Sequence, residues 1–118
     1  MKILIFENSK LIAERLIELI SETVKDITFY KAGSYGEALY FLKECNPDAV
    51  LLDFDYPGNS SIELLKKTKS LNGKTMVLAL LSEMNESNVK QCQQHGADLI
   101  FDKYADFEQI PEVVNAIW

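Results

Sequence analysis

Groups that can do chemistry stand where apolar runs of this chain end: the pair Glu7-Asn8, the carboxylate of Asp53 and the ammonium of Lys103. Glu7 and Asn8 follow the run Lys2 to Phe6, Asp53 closes Ala49-Val50-Leu51-Leu52, and Lys103 follows Asp98 to Asp102. A second carboxylate, Asp55, comes two residues after Asp53, ahead of the turn dipeptide Pro57-Gly58. Oxygens of Glu7, Asn8 and Asp53 suit a hard cation such as Mg²⁺, which takes a few carboxylates plus water. A lysine beside them balances negative charge or meets a phosphate as a point charge. A carboxylate, a cation and a lysine together suit phosphoryl transfer, with Asp53 as covalent nucleophile. Singly, each residue fits a solvated charge at a loop end better; gathered on one edge, they favour a site.

Five strand-then-helix units are needed to gather them. Lys2 to Phe6 is an Ile-rich strand, and Ser9 caps a helix carrying Ile12, Leu16, Leu19 and Ile20 at helical spacing. Ile27 to Lys31 alternates like a strand near an edge, and Gly33-Ser34 breaks and caps before a helix with Ala38, Leu39, Phe41 and Leu42. That helix finishes by Cys45-Asn46, because Pro47 disfavours helix before it. Ala49 to Asp53 reads as a strand buried on both faces, and a helix with Ile62, Leu64 and Leu65 follows. Thr75 to Leu81 is a fourth strand. The polar stretch Glu83 to Asn88 leads into a helix through Val89, Cys92 and His95, which Gly96 stops. Asp98 to Asp102 is the fifth strand. Asp106 to Gln109 looks like a capping pattern, but Pro111 would then fall in the second turn and cost a hydrogen bond, so the last helix is placed from about Pro111, where proline suits the first position, with a separate turn before it, and it runs out at Trp118. Strict alternation with short connections predicts a parallel sheet covered on both faces. The expected fold is a flavodoxin-like three-layer α/β/α sandwich with strand order 2-1-3-4-5. In it the first and third strands are neighbours at the switch point, so Glu7, Asn8 and Asp53 converge.

The totals fit one domain over residues 1–118: 47% hydrophobic and 25% charged residues are ordinary for a globular chain. A net charge of −6 argues against a nucleic-acid surface. No apolar run approaches the roughly 20 residues that span a bilayer, and the N-terminal run is too short for a signal peptide. Cys45 and Cys92 lack metal-type spacing, so a reduced, cytoplasmic protein is the default.

In these residues the chain resembles the receiver domains of bacterial two-component response regulators, whose fold is the CheY-like form of this sandwich. The likeness covers essentially the whole chain. It is carried by Lys2 to Asn8, by Pro47 to Leu65 with its DFDYPG turn, and by Gly96-Ala97-Asp98 leading to Lys103. It implies that Asp53 accepts a phosphoryl group from the histidine of a sensor kinase or phosphotransfer protein, with Mg²⁺ bound. Asp53, Asn8 and the backbone carbonyl of Asp55 would contact the metal directly, Glu7 through water, and Lys103 would contact the phosphoryl group. The resemblance further implies signalling to a protein partner through the face of the fourth helix, fifth strand and fifth helix. It implies no enzymatic activity beyond the domain's own phosphoryl transfer and dephosphorylation. Oligomeric state stays open between monomer and homodimer.

Four positions depart from the family pattern. Asn8 stands where an Asp usually ligates the metal, which should weaken Mg²⁺ binding. Leu81 stands at the position of a switch hydroxyl, and Ser82 next to it points to the opposite strand face unless the strand end is irregular. Ile100 stands at the aromatic switch position, and Tyr104 follows Lys103 where proline is usual. Losing the hydroxyl removes roughly 1.5–3 kcal/mol of charged hydrogen bonding from a switch that needs about 5.5 kcal/mol to swing fully. The expectation is a phosphoacceptor whose switch is weak or rerouted. The alternative is a degenerate receiver serving as a phosphorylation-independent interaction module. A flavodoxin-type cofactor binder is disfavoured, because Glu7-Asn8-Ser9-Lys10 lacks the glycines or hydroxyl cluster expected to cradle a phosphate.

Overall fold

The computed structural model describes residues 1–56 and 58–117. Strands and helices alternate in order: β1 (Lys2–Phe6), α1 (Lys10–Thr23), β2 (Thr28–Ala32), α2 (Tyr35–Cys45), β3 (Ala49–Asp53), α3 (Ser60–Leu71), β4 (Met76–Leu81), α4 (Glu86–Gln94), β5 (Leu99–Asp102) and α5 (Ile110–Ile117). A 3-10 turn over Phe107–Gln109 precedes α5. All strand pairings are parallel, in the order β2-β1-β3-β4-β5. This is the flavodoxin-like sheet expected from the alternation.

The apolar runs become the middle of the sheet because a strand with helices on both faces has no side left for water. Ile3 to Phe6, Ala49 to Asp53 and Val77 to Leu81 are buried throughout. Side chains alternate across the sheet. Ile3, Ile5, Leu51, Leu78 and Leu80 pack with Leu16 and Ile20 of α1 and Val114 of α5. Leu4, Phe6, Val50 and Leu52 pack with Ala38, Leu42, Leu64 and Leu65 of α2 and α3. Ala79 and Leu81 meet Cys92 of α4. β2, which alternates in sequence, is an edge strand.

Short polar residues set the helix starts. Ser9 Oγ accepts from Ile12 N–H at 3.3 Å and Ser34 Oγ from Glu37 N–H at 3.2 Å, as predicted. Asn85 caps α4 through Asn88 N–H, so that helix begins at Glu86, inside the stretch read as its polar lead-in. His95 is the C-cap of α4 and not part of its last turn. Gly96 then takes φ +98°, a conformation that favours glycine. The separate turn before the last helix is the 3-10 turn, and α5 starts one residue ahead of Pro111. β2 runs one residue later than the sequence suggests, and β4 and β5 each begin one residue later. Pro57 of the turn dipeptide and the end of the last helix at Trp118 lie outside the described residues. Among the described residues no helix is long and apolar enough to cross a membrane.

Candidate functional site

The site is built where β1, β3 and β5 reach their carboxyl ends. Phe6 pairs with Leu52 in register, which puts Glu7 beside Asp53. Lys103 N–H donates to the Leu81 carbonyl at 2.7 Å, extending the β4–β5 ladder far enough to aim Lys103 inward. Ser61 Oγ donates to the Asp53 carbonyl at 2.5 Å and ties the first turn of α3 to the end of β3. Tyr56 stacks on Phe6 with ring centroids 4.2 Å apart, and its hydroxyl donates to the Gly33 carbonyl at 2.6 Å. The loop after β3 is thereby fastened to the loop after β2. The sequence reading does not single out Tyr56 or Ser61. The signal available for Tyr56 is a second aromatic residue, after Phe54, in the turn that follows Asp53.

Lys103 is the centre of the charge network. Its Nζ lies 2.9 Å from Glu7 Oε1, 3.1 Å from Asp53 Oδ1 and 3.6 Å from Asp55 Oδ2. The side chains of Glu7 and Asp53 are 1% exposed, that of Lys103 7% and that of Asp55 35%, so Asp53 is the inner carboxylate and Asp55 the outer one. Asp53 Oδ1 also accepts from Asp55 N–H at 2.9 Å, and Oδ2 accepts from Asn8 N–H at 3.1 Å. Asn8 is exposed and reaches Asp53 through its backbone N–H. Asp55 accepts from Ser82 N–H through both oxygens, at 3.1 and 3.3 Å. Glu7, Asp53, Asp55 and Lys103 are therefore in one network.

Three carboxylates stand around one ammonium, an excess of negative charge. Burial raises the Glu7 carboxyl from 4.5 to about 7, against the hydrogen bond from Lys103, and the nearby Asp53 charge adds to the rise. Burial pulls the Lys103 ammonium down, but hydrogen bonding and attraction from Glu7, followed by attraction and hydrogen bonding from Asp53, outweigh it and raise the net value. Glu7 Oε2 is buried without a hydrogen-bond partner. Among the described residues no three His, Cys, Asp or Glu side chains form a metal-holding cluster; the Lys103 ammonium stands among the carboxylates. An all-oxygen donor set with a bare buried oxygen and surplus negative charge is chemically suited to a hard cation of the Mg²⁺ type.

The positions expected to read the site are apolar. Leu81 is 1% exposed and belongs to a cluster with Ala79 and Cys92, against which Phe54, Ala97 and Ile100 pack. Leu81 and Ile100 thus share one cluster. Phe101 is buried in the main core, whereas Tyr104 is exposed. In place of the usual proline at 104, Asp102 Oδ1 accepts from Tyr104 and Ala105 N–H, both at 2.9 Å, which fixes the turn and lowers the Asp102 carboxyl.

The chain is similar to known proteins over most of its length. The response regulator receiver domain family matches residues 3–115. The chain is 28% identical over 86 residues to sporulation initiation phosphotransferase F of Bacillus subtilis, covering 73% of this chain and 69% of that protein. It is 31% identical over 99 residues to the nitrate/nitrite response regulator protein NarL of Escherichia coli K12, covering 81% of this chain but 44% of NarL. The chain thus spans less than half of NarL. The signal receiver domain of a DNA-binding response regulator from Colwellia psychrerythraea superposes with a TM-score of 0.89 at 23% identity, over 99% of this chain and 97% of that one.

Proposed function

Because this chain belongs to the response regulator receiver domain family of two-component signalling, we propose that Asp53 accepts a phosphoryl group from the phosphohistidine of a sensor kinase or phosphotransfer protein. The observation that supports this most is the setting of the Asp53 carboxylate, which Lys103 Nζ and the N–H groups of Asn8 and Asp55 hold in one orientation. A fixed nucleophile beside a fixed cation meets the main demands of phosphoryl transfer, which are positioning and charge stabilisation.

A carboxylate oxygen of Asp53 bonds to phosphorus as the donor's P–N bond breaks, and the electron pair returns to the imidazole nitrogen. Oδ2, with Asn8 N–H as its one donor, is the less encumbered oxygen. Lys103 balances charge on the transferred group. Asp53, the Asn8 side-chain amide and the Asp55 carbonyl would hold Mg²⁺, with Glu7 acting through water; the ion, when bound, neutralises phosphoryl oxygens. Output passes by protein contact through the face of α4, β5 and α5, and transfer from such a kinase implies a cytoplasmic location.

Incubation with acetyl phosphate and MgCl2 followed by mass spectrometry tests the assignment. Wild type gains one phosphoryl group and Asp53→Asn gains none. No addition to wild type, or equal addition to both, overturns it. The apolar cluster of Leu81 and Ile100 favours a second reading, a receiver that binds its partner whether or not it is phosphorylated. Equal partner affinity of wild type and Asp53→Asn in acetyl phosphate would support that reading.

A further inference from the structure

Asp55 contributes more than its backbone carbonyl. Its carboxylate bridges two loops: it is covalently part of the loop after β3, and both its oxygens accept from Ser82 N–H in the loop after β4, at 3.1 and 3.3 Å. The same carboxylate lies 3.6 Å from Lys103 Nζ, the cation that also holds Asp53. Asp55 is thus an anion that already occupies donors beside a nucleophile whose own side chain is 1% exposed. A phosphoryl group on Asp53 brings further negative charge to the same ammonium, and two anions there repel. Next to Asp55 is a cavity of about 200 Å³ whose lining includes Asp55, Gly58, Asn59, Leu81 and Asn88.

We propose that Asp55 is an internal anionic latch. In the unmodified protein its carboxylate takes the place of the phosphoryl group at Lys103 and Ser82 and holds the two loops together. Phosphorylation of Asp53 displaces it toward the neighbouring cavity and frees the loop that leads into α4. This rests on Asp53 being the phosphoacceptor, and it gives the site a route to α4 that needs no hydroxyl at Leu81.

Two variants separate the parts. Asp55→Asn keeps the size and an acceptor oxygen but removes the charge, and Asp55→Ala removes both. A hydrogen-bonded amide exchanges only when it opens, so by NMR the Ser82 amide of unmodified protein exchanges about fivefold or more faster in Asp55→Ala than in wild type, with β4 unchanged. With acetyl phosphate and MgCl2, both variants are phosphorylated about two- to fivefold faster than wild type, as expected for release of a partly exposed charge contact. Unchanged Ser82 exchange in Asp55→Ala overturns the latch whatever happens to phosphate. A responsive Ser82 with unchanged or slower phosphorylation overturns the competition. If neither variant nor wild type takes phosphate while Ser82 responds, the phosphoacceptor reading fails and the competition with it, and only a structural contact is left.

Discussion

Two neighbouring ends of one sheet are held together by different forces. At the ends of β1, β3 and β5, buried Glu7 and Asp53 are tied to Lys103 at 2.9 and 3.1 Å, with the half-exposed Asp55 carboxylate 3.6 Å away. At the end of β4, Leu81 is buried in a cluster with Ala79 and Cys92, bounded by Phe54, Ala97 and Ile100, where cohesion comes from burial and close packing. Charges respond over several ångströms when one of them changes, whereas an apolar cluster has no direct term for charge. The acidic end therefore responds to a change of charge beside it, and the β4 cluster responds to a change of packing. Among the described residues, the Asp55–Ser82 contact links the two through a charged group.

The largest effect should come from removing the cation. Lys103→Met leaves Glu7 Oε1 and Asp53 Oδ1 buried without their shared ammonium, and breaking such a pair from one side costs about 3–5 kcal/mol. Urea denaturation at pH 8 reads the loss. At pH 5, Glu7, raised to about 7, is already protonated, so less charge is stranded and the loss should shrink. A loss below about 1 kcal/mol at pH 8, or the same loss at both pH values, would mean that the acidic end is held by something other than its charges, and the contrast with the β4 cluster would dissolve.

The second test is aimed at the β4 cluster. Leu81→Thr supplies a hydroxyl at the position where the family resemblance expects one. Here it removes a leucine that is 1% exposed and buries an unpartnered hydroxyl, so the unmodified protein should lose about 3–4 kcal/mol. A loss under about 1 kcal/mol would mean that the cluster is slack enough to host a switch residue. The two ends would then differ in sequence only, not in what holds them.

Much of this contrast is legible in the residues themselves. Ala49 to Leu52 announces a strand covered on both faces and places Asp53 at its end. The alternation of strands and helices gives the order that brings Glu7 beside it, and Leu81 and Ile100 announce an apolar β4–β5 end. Which atoms of a residue face the site is not legible. Asn8 contributes its N–H to Asp53 while the residue as a whole stays exposed, because the chain turns there into the cap of α1. The bond from Asp55 to Ser82 depends on how two loops far apart in sequence lie against each other, and no spacing rule encodes that. Tyr56 reads as one more turn residue until Phe6 and Gly33 are seen to receive it. Sequence pattern reports periodic elements well, and loop-to-loop contacts emerge only when those elements have packed.

The smallest effect expected is also the most diagnostic of the acidic end, because it should appear as a slope. Burial raises Glu7 from 4.5 to about 7. Between those values the folded protein keeps a proton that the unfolded chain has released, so stability falls as pH rises through the window. The contribution of the protonated group is fully present below about pH 4.5 and gone above about pH 7. Glu7→Gln fixes the neutral form. Relative to wild type it should therefore gain stability from pH 4 to pH 8, by on the order of 3 kcal/mol for a shift from 4.5 to about 7. Denaturation midpoints across that range measure the difference. If the two proteins run parallel, Glu7 is ionised in the folded state like an ordinary surface carboxylate, and the bare Oε2 is no sign of excess charge. If they diverge and MgCl2 closes the gap for wild type alone, the missing charge compensation is what a divalent cation supplies, and the acidic end is tuned for binding where the β4 cluster is tuned for packing.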